Sequence, residues 1–176
     1  MSDNFTRSEY DEELSESTKR KMREERQIVV FKLGSEEFGV NISEVWKIIR
    51  MEQITKIPNT DSFIKGVINL RGGIVVVISL AMKLGLPSKE PTNDTRIIIT
   101  ELKENTVGMI VDSANEMIII STDDVKPAPP LITQKVSADY IEGVAVLGER
   151  LLILLDLAKI LNYGEMQSVQ QVAAVH

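Results

Sequence analysis

The sequence predicts an all-β fold with a few short helices, made by using one small barrel-like unit twice. Three observations predict it. The segment from Phe63 to Leu84, FIKGVINLRGGIVVVISLAMKL, returns as YIEGVAVLGERLLILLDLAKIL from Tyr140 to Leu161, at one offset and without a gap (140 − 63 = 77, 161 − 84 = 77). The hairpin pattern around residues 27 to 42 returns around 95 to 111, with Gly39/Gly108 and Pro58/Pro127 at a second offset (108 − 39 = 69, 127 − 58 = 69). The apolar runs are short, rich in β-branched residues and punctuated by turn residues, at the spacing of small barrels. A self-match of this length marks one unit folded twice. The repeated residues are glycines and apolar side chains, which describe a scaffold and not a reacting centre.

In chain order, residues 1 to 26 are charged and polar and read as a solvated tail, with Glu16 and Arg20 spaced to support one helical turn. Gln27 to Leu33 is a strand, and Gly34-Ser35-Glu36-Glu37 a turn. Phe38, Val40 and Ile42 alternate with Gly39 and Asn41, as one buried sheet face requires. Ile42, Val45 and Ile48 recur every third residue, which sets them on one side of a short helical turn after Ser43. Gly66, Gly72 and Gly143 are placed for turns or close strand approach. Ser79 and Asp156 are equivalent positions (156 − 79 = 77) and good N-caps, each opening a short helix, with Gly85 and Gly164 as stops. Pro87 to Asp94 links the copies, and Pro127-Ala128-Pro129-Pro130 marks a longer loop in the second. Residues 164 to 176 read as a frayed second tail. The folded unit is therefore 27–163, with first-copy strands in 27–86 and second-copy strands in 95–161. Two such halves sharing an apolar interface reach a burial that neither attains alone.

Composition narrows the function. The chain has no cysteine, which removes disulfides, thiolate catalysis and zinc-thiolate sites. Its one histidine is the last residue, His176, and no nucleophile–base pair is visible. Asp112, Asp123 and Asp124 lack the spacing of a calcium loop, so no metal or cofactor is expected. The formal net charge of −6 and an aromatic content of 5% argue against nucleic-acid binding, though a small barrel gripping single strands is the runner-up reading. The longest apolar runs suit strands and are too short to cross a bilayer.

The blocks VFKLGSEEFGVNISEV, IPNTDSFIKGVINLRGGIVVVISL, VGMIVD, KPAPP and YIEGVAVLGERLLILLDLAKIL, in this order, resemble the CheW family of bacterial chemotaxis coupling proteins. The resemblance covers about residues 27 to 162, and FIKGVINLRG is its most specific piece. It implies two five-stranded SH3-like β-barrel subdomains around a shared apolar core. It also implies a non-catalytic, cytoplasmic adaptor that couples the cytoplasmic tips of chemoreceptors (methyl-accepting chemotaxis proteins) to the regulatory domain of the histidine kinase CheA. Such an adaptor helps build receptor arrays at the membrane and is recruited through its partners, without inserting into the membrane. No kinase or receiver domain fits outside this span, so a stand-alone coupling protein is expected.

The resemblance makes Ile42, Val45, Ile48, Arg71 and Gly72 the candidate receptor-binding residues. The first three would line an apolar groove for a receptor helix, and Arg71, in the tight turn before Gly72-Gly73, would contact or orient it. Lys47 stands where the family usually has a glutamate, so a pairing of that residue with Arg71 is not expected. Val76 replaces a frequent proline. Ser79 replaces an aspartate but can cap as well. The bland alternatives are core packing for the isoleucines and valine, and backbone hydrogen bonding for Arg71. Trp46, the single tryptophan, fits packing or an interface equally.

Overall fold

Alternation of side chains along each strand organises this protein, because most strands are covered on both faces. The structure is a computed structural model and describes residues 24–175. The expected helical turn at Glu16–Arg20 lies outside the described residues. In β1 (Glu25–Leu33), Val29 and Phe31 enter one apolar cluster while Ile28 and Val30 enter another. That double burial is why the run reads as continuously apolar. Strand β1 begins at Glu25, so it reaches two residues into the expected tail.

The remaining strands are β2 (Glu36–Asn41), β3 (Val45–Arg50), β4 (Ile64–Leu70), β5 (Gly73–Ser79), β6 (Arg96–Leu102), β7 (Asn105–Val111), β8 (Ser113–Ser121), β9 (Val125–Lys126), β10 (Ile141–Leu147) and β11 (Arg150–Leu155). The helices are α1 (Leu80–Lys83), α2 (Pro130–Thr133) and α3 (Tyr163–Val175), with single 3-10 turns at Ile42–Glu44, Thr122–Asp124, Ala138–Tyr140 and Leu157–Lys159.

The strands form two sheets, in the orders β8-β1-β2-β11-β10-β9 and β3-β6-β7-β5-β4. Each sheet therefore joins the first hairpin of one copy to the last strands of the other. The copies 27–86 and 95–161 are not separate bodies in space; they exchange hairpins. The duplication is nevertheless kept to the residue. Val77 lies opposite Gly108 across the parallel β5–β7 pair, and Leu154 lies opposite Gly39 across the parallel β11–β2 pair. A Cβ at Gly39 would come within 2.5 Å of Ile28 Cγ2, and one at Gly108 within 2.8 Å of Ile97 Cγ2, the same neighbour in each copy.

The edges of each sheet are connected by chain. Beyond β3, Thr55 bridges Val67 of β4 through reciprocal backbone bonds of 2.9 Å. Beyond β8, the turn Thr122–Asp124 leads into β9, which pairs with β10. The strand ladders do not close either sheet into a continuous barrel. Each sheet instead curls around its own small core, Ile28, Val30, Leu152 and Leu154 in one and Ile68, Val77, Ile97 and Ile99 in the other. A larger core between the sheets holds Phe31, Phe38, Val76, Ile78, Ile98, Met109 and Ile153, with Phe31 and Phe38 stacked at 5.7 Å.

Ser79 and Asp156 cap as expected: Ser79 Oγ accepts from Met82 N at 3.3 Å and Asp156 Oδ1 from Ala158 N at 3.1 Å. Gly66 and Gly143 occupy equivalent bulges in β4 and β10. Two readings are corrected. Of the tail expected at 164 to 176, residues 164 to 175 are not frayed, because α3 buries Met166, Val169 and Val172 in the shared core. Gly164 is accordingly no stop but sits in the first turn of α3. Asn162 and Glu165 form a reciprocal capping box, Glu165 N donating to Asn162 Oδ1 at 2.8 Å and Asn162 N to Glu165 Oε1 at 2.9 Å.

Candidate interaction site

Strand β3 is an edge strand, paired only with β6 along its ladder. Ile42, Val45 and Ile48 do not share a helical face, which corrects the expectation from their spacing. The helical turn ends at Glu44 and β3 begins at Val45. A register shift between Val45 and Lys47 inserts one extra residue, so Val45 lies opposite Thr100 and Ile48 opposite Ile98. A bulge thus does for a strand what a spacing of three does for a helix: it sets Val45 and Ile48 on one face. That face looks towards the shared core. Val45 is half-buried against it, while Ile48 at 36% and Ile42 at 38% stand exposed. Ile42 therefore leaves the buried face that Phe38 and Val40 keep. Trp46, 60% exposed, projects as a surface residue. Thr100, fully buried, donates its hydroxyl to the Glu44 carbonyl and ties the helical turn to β6.

Arg71 and Gly72 form the tip of the β4–β5 hairpin, with φ of 53° and 80°. Both positive values match a type I′ turn, the tight connection whose twist suits a hairpin. Asn69 Oδ1 accepts from Gly72 N at 3.0 Å and holds the turn. The Arg71 side chain is exposed, and among the described residues its guanidinium makes no hydrogen bond or ion pair. The backbone-bonding alternative for Arg71 is therefore not what the structure contains. Strands β3 and β4 are the two opposite edges of the five-stranded sheet, so the ladder does not bring Arg71 beside Ile42, Val45 and Ile48. Lys47 and Arg71 form no pair.

A second apolar edge was not anticipated. Met117 and Ile119 of β8 are 51% and 58% exposed. Met117 is the duplicate of Ile48 (117 − 48 = 69), and the register agrees: Ile48 opposes Ile98 while Met117 opposes Val29 (98 − 29 = 69). The offset already visible between Gly39 and Gly108 was the signal for it.

Carboxylates do converge where the copies meet. Glu142 is held by Arg26 at 2.7 and 2.9 Å, and Asp156 is occupied with its cap. Glu44 Oε2 is buried without a partner. Burial, followed by the nearby Asp156 and Glu142 charges, raises the Glu44 pKa above the ordinary carboxylate value. Two of the three groups already have structural duties, which leaves no free acid–base pair. Among the described residues no cluster of three or more His, Cys, Asp or Glu side chains is set to hold a metal ion. The one stacked aromatic pair described, Phe31–Phe38, is buried, so it offers no platform for bases.

Two interleaved sheets with exposed apolar edges define a binding scaffold. The CheW-like domain model matches residues 27–165; the chain belongs to the CheW-like family and is a chemotaxis scaffold protein rather than an enzyme. The chemotaxis protein CheW of Klebsiella aerogenes is 36% identical over 151 residues, spanning 86% of this chain and 90% of that protein. Chemotaxis protein CheW of Bacillus subtilis is 35% identical over 141 residues, spanning 80% and 90%. The crystal structure of the scaffolding protein TtCheW from Thermoanaerobacter tengcongensis superposes with a TM-score of 0.73 at 35% identity, covering 80% of this chain and 90% of that one.

Proposed function

We propose that this chain couples the cytoplasmic tips of chemoreceptors to the regulatory domain of the histidine kinase CheA and helps join them into arrays. The observation that carries the reading is the exposed, half-cored edge at β3, in a chain whose residues 27–165 match the CheW-like domain model. Val45 and Ile48 offer adjacent apolar anchors of the kind an amphipathic receptor helix uses. The Arg71 guanidinium, unpaired among the described residues and carrying five donors, contacts the receptor's polar flank. Kinase domains dock on other faces, and several modest contacts held together give an assembly stronger than any one of them. No helix among the described residues is long and apolar enough to cross a membrane. As a coupling protein in this reading, the chain works in the cytoplasm and reaches the membrane through its partners.

Co-sedimentation tests the proposal. The protein is spun with membranes or assemblies carrying a receptor signalling-tip fragment, with the kinase, and with both. Recovery with each partner alone, and raised kinase activity in the ternary mixture, is the expected result. A well-folded protein that pellets with neither partner overturns it.

A further inference from the structure

The duplicated fold carries its own control for one cavity. At the end of the six-stranded sheet, Arg26 fills the space beside Asn41 and Glu142, and the charges of Arg26 and Asp156 both reach Glu44. Its Nε and one NH2 donate to Asn41 Oδ1 at 3.1 and 2.9 Å, and its guanidinium meets Glu142 at 2.7 Å. The Arg26 side chain is 16% exposed and Glu142 38%, so the cation is largely covered by the chain while its carboxylate partner stays in contact with solvent. The repeat assigns each of these a counterpart in the other sheet. Arg26 becomes Thr95 (95 − 26 = 69), Asn41 becomes Ile110 (110 − 41 = 69), Glu142 becomes Lys65 (142 − 65 = 77) and Asp156 becomes Ser79 (156 − 79 = 77).

The internal plug is absent there. A cavity of about 290 Å³ is found instead, lined by Lys65, Ile110 and Ser79 together with Met51, Ile54 and Lys56. The charged lining residues are Lys56, Lys65, Lys89 and Glu90, a balance of 3 − 1 = +2 in a chain whose net charge is −6. Lys89 lies 4.0 Å from Asp112, but among the described residues Lys56 and Lys65 have no ion-pair partner. Lys65 is half-buried on β4, where an ammonium gains most from a nearby anion. Ile110, in the place of the polar Asn41, turns the adjoining wall apolar.

We propose that this cavity binds a small amphipathic carboxylate: a free acid whose carboxylate meets Lys65 and Lys56 and whose short apolar tail lies against Met51, Ile54 and Ile110. The arrangement reverses the other copy. There the chain supplies both the cation and the anion. Here it supplies three lysines against the single carboxylate of Glu90, together with apolar walls, and the balancing anion comes from outside. The volume is at the lower end of known ligand pockets, which suits an acid the size of hexanoate.

The test is an NMR titration of the full chain with hexanoate, with hexanamide as the neutral isostere and inorganic phosphate as an anion without a tail. Hexanoate is expected to give saturable shifts at the amides of Ile54, Lys65 and Ile110, with hexanamide and phosphate each weaker by about tenfold or more. Lys65→Glu, which installs the other copy's charge, is expected to weaken hexanoate by about tenfold or more with an unchanged circular dichroism spectrum. Should that variant misfold, Lys65→Gln must weaken binding severalfold. Absence of saturation, equal affinity for hexanamide or phosphate, or shifts confined to residues away from the cavity overturns the proposal, as does a folded Lys65 variant that binds hexanoate unchanged.

Discussion

Lys83 Nζ on α1 lies 2.9 Å from Glu165 Oε2 on α3, and the ammonium sits 5.4 Å from the Phe63 ring centre and 5.1 Å from that of Tyr140. It also donates to the Tyr140 hydroxyl at 3.1 Å. This clamp holds the last helix across the shared core. The two side chains are 9% and 16% exposed, so losing one partner strands the other in a poorly solvated place.

Glu165→Gln is therefore expected to lower stability by about 1–2 kcal/mol, read as a lower urea midpoint with an unchanged slope. Burial pulls the Lys83 pKa down, but its bonds to Glu165 and Tyr140 outweigh that and leave it raised. A raised folded value means that the stabilisation is complete below the ordinary lysine pKa of about 10.4 and is lost as pH climbs through the folded value. The difference between wild type and the Gln variant should hold from pH 7 to 10 and shrink only in stronger alkali.

Gly66→Ala is expected to cost more than Gly143→Ala, although the two are repeat equivalents. At Gly66 a Cβ would sit 2.0 Å from the Thr55 carbonyl oxygen, and φ is +143°. At Gly143 the nearest atom is Val125 Cγ1 at 2.7 Å, with the Lys126 carbonyl oxygen at 2.8 Å. Both meet a backbone carbonyl, but the clash at Gly66 is deeper and its φ is positive, so the first change should cost about 3 kcal/mol or more and the second less. Thermal melts of both variants give the order.

Glu44→Gln is expected to stabilise the protein at pH 7, by about 1 kcal/mol or less because Glu44 is only partly buried. The unpartnered Oε2 makes the ionised form costly in the fold. With its folded pKa raised, wild-type Glu44 contributes most below the ordinary carboxylate value of about 4.3, and that contribution is lost as pH rises through the folded value. The variant's advantage should vanish in acid. Equal stability at pH 7 would show that water satisfies the oxygen.

Val45→Asp and Arg71→Ala probe the proposed receptor contact. Each is expected to weaken binding of a receptor-tip fragment by about tenfold, a loss of about 1.4 kcal/mol, while the protein remains soluble. Val45→Asp that precipitates would assign Val45 to packing alone. Arg71→Ala with wild-type pull-down and an intact fold would remove Arg71 from the site.

Much of this was legible along the chain. The glycines were: Gly39 and Gly108 hold one offset because each admits the same isoleucine, and Gly66 and Gly143 hold another because each marks a bulge. So were the caps at Ser79 and Asp156, which span four and three consecutive residues. Helix α3 was legible and overlooked, since Asn162-Tyr163-Gly164-Glu165 is a capping box ahead of buried Met166, Val169 and Val172. The spacing of Ile42, Val45 and Ile48 misled because a bulged strand and a helical turn leave the same trace.

The amino-acid order by itself determined the duplication, the β class, the short capped turns and the membership of a non-catalytic family. Those depend on local geometry and on side-chain patterns a few residues long. Only the tertiary structure decided that the copies trade hairpins, so that β1 and β2 pair with β8 and β11 while β6 and β7 pair with β3 and β5. The two hairpins are near-duplicates and present the same edges, so pairing within a copy and pairing between copies satisfy the same local rules. The observed exchange interleaves both copies around one large core of Phe31, Phe38, Val76 and Ile153, and that burial is a property of the whole chain.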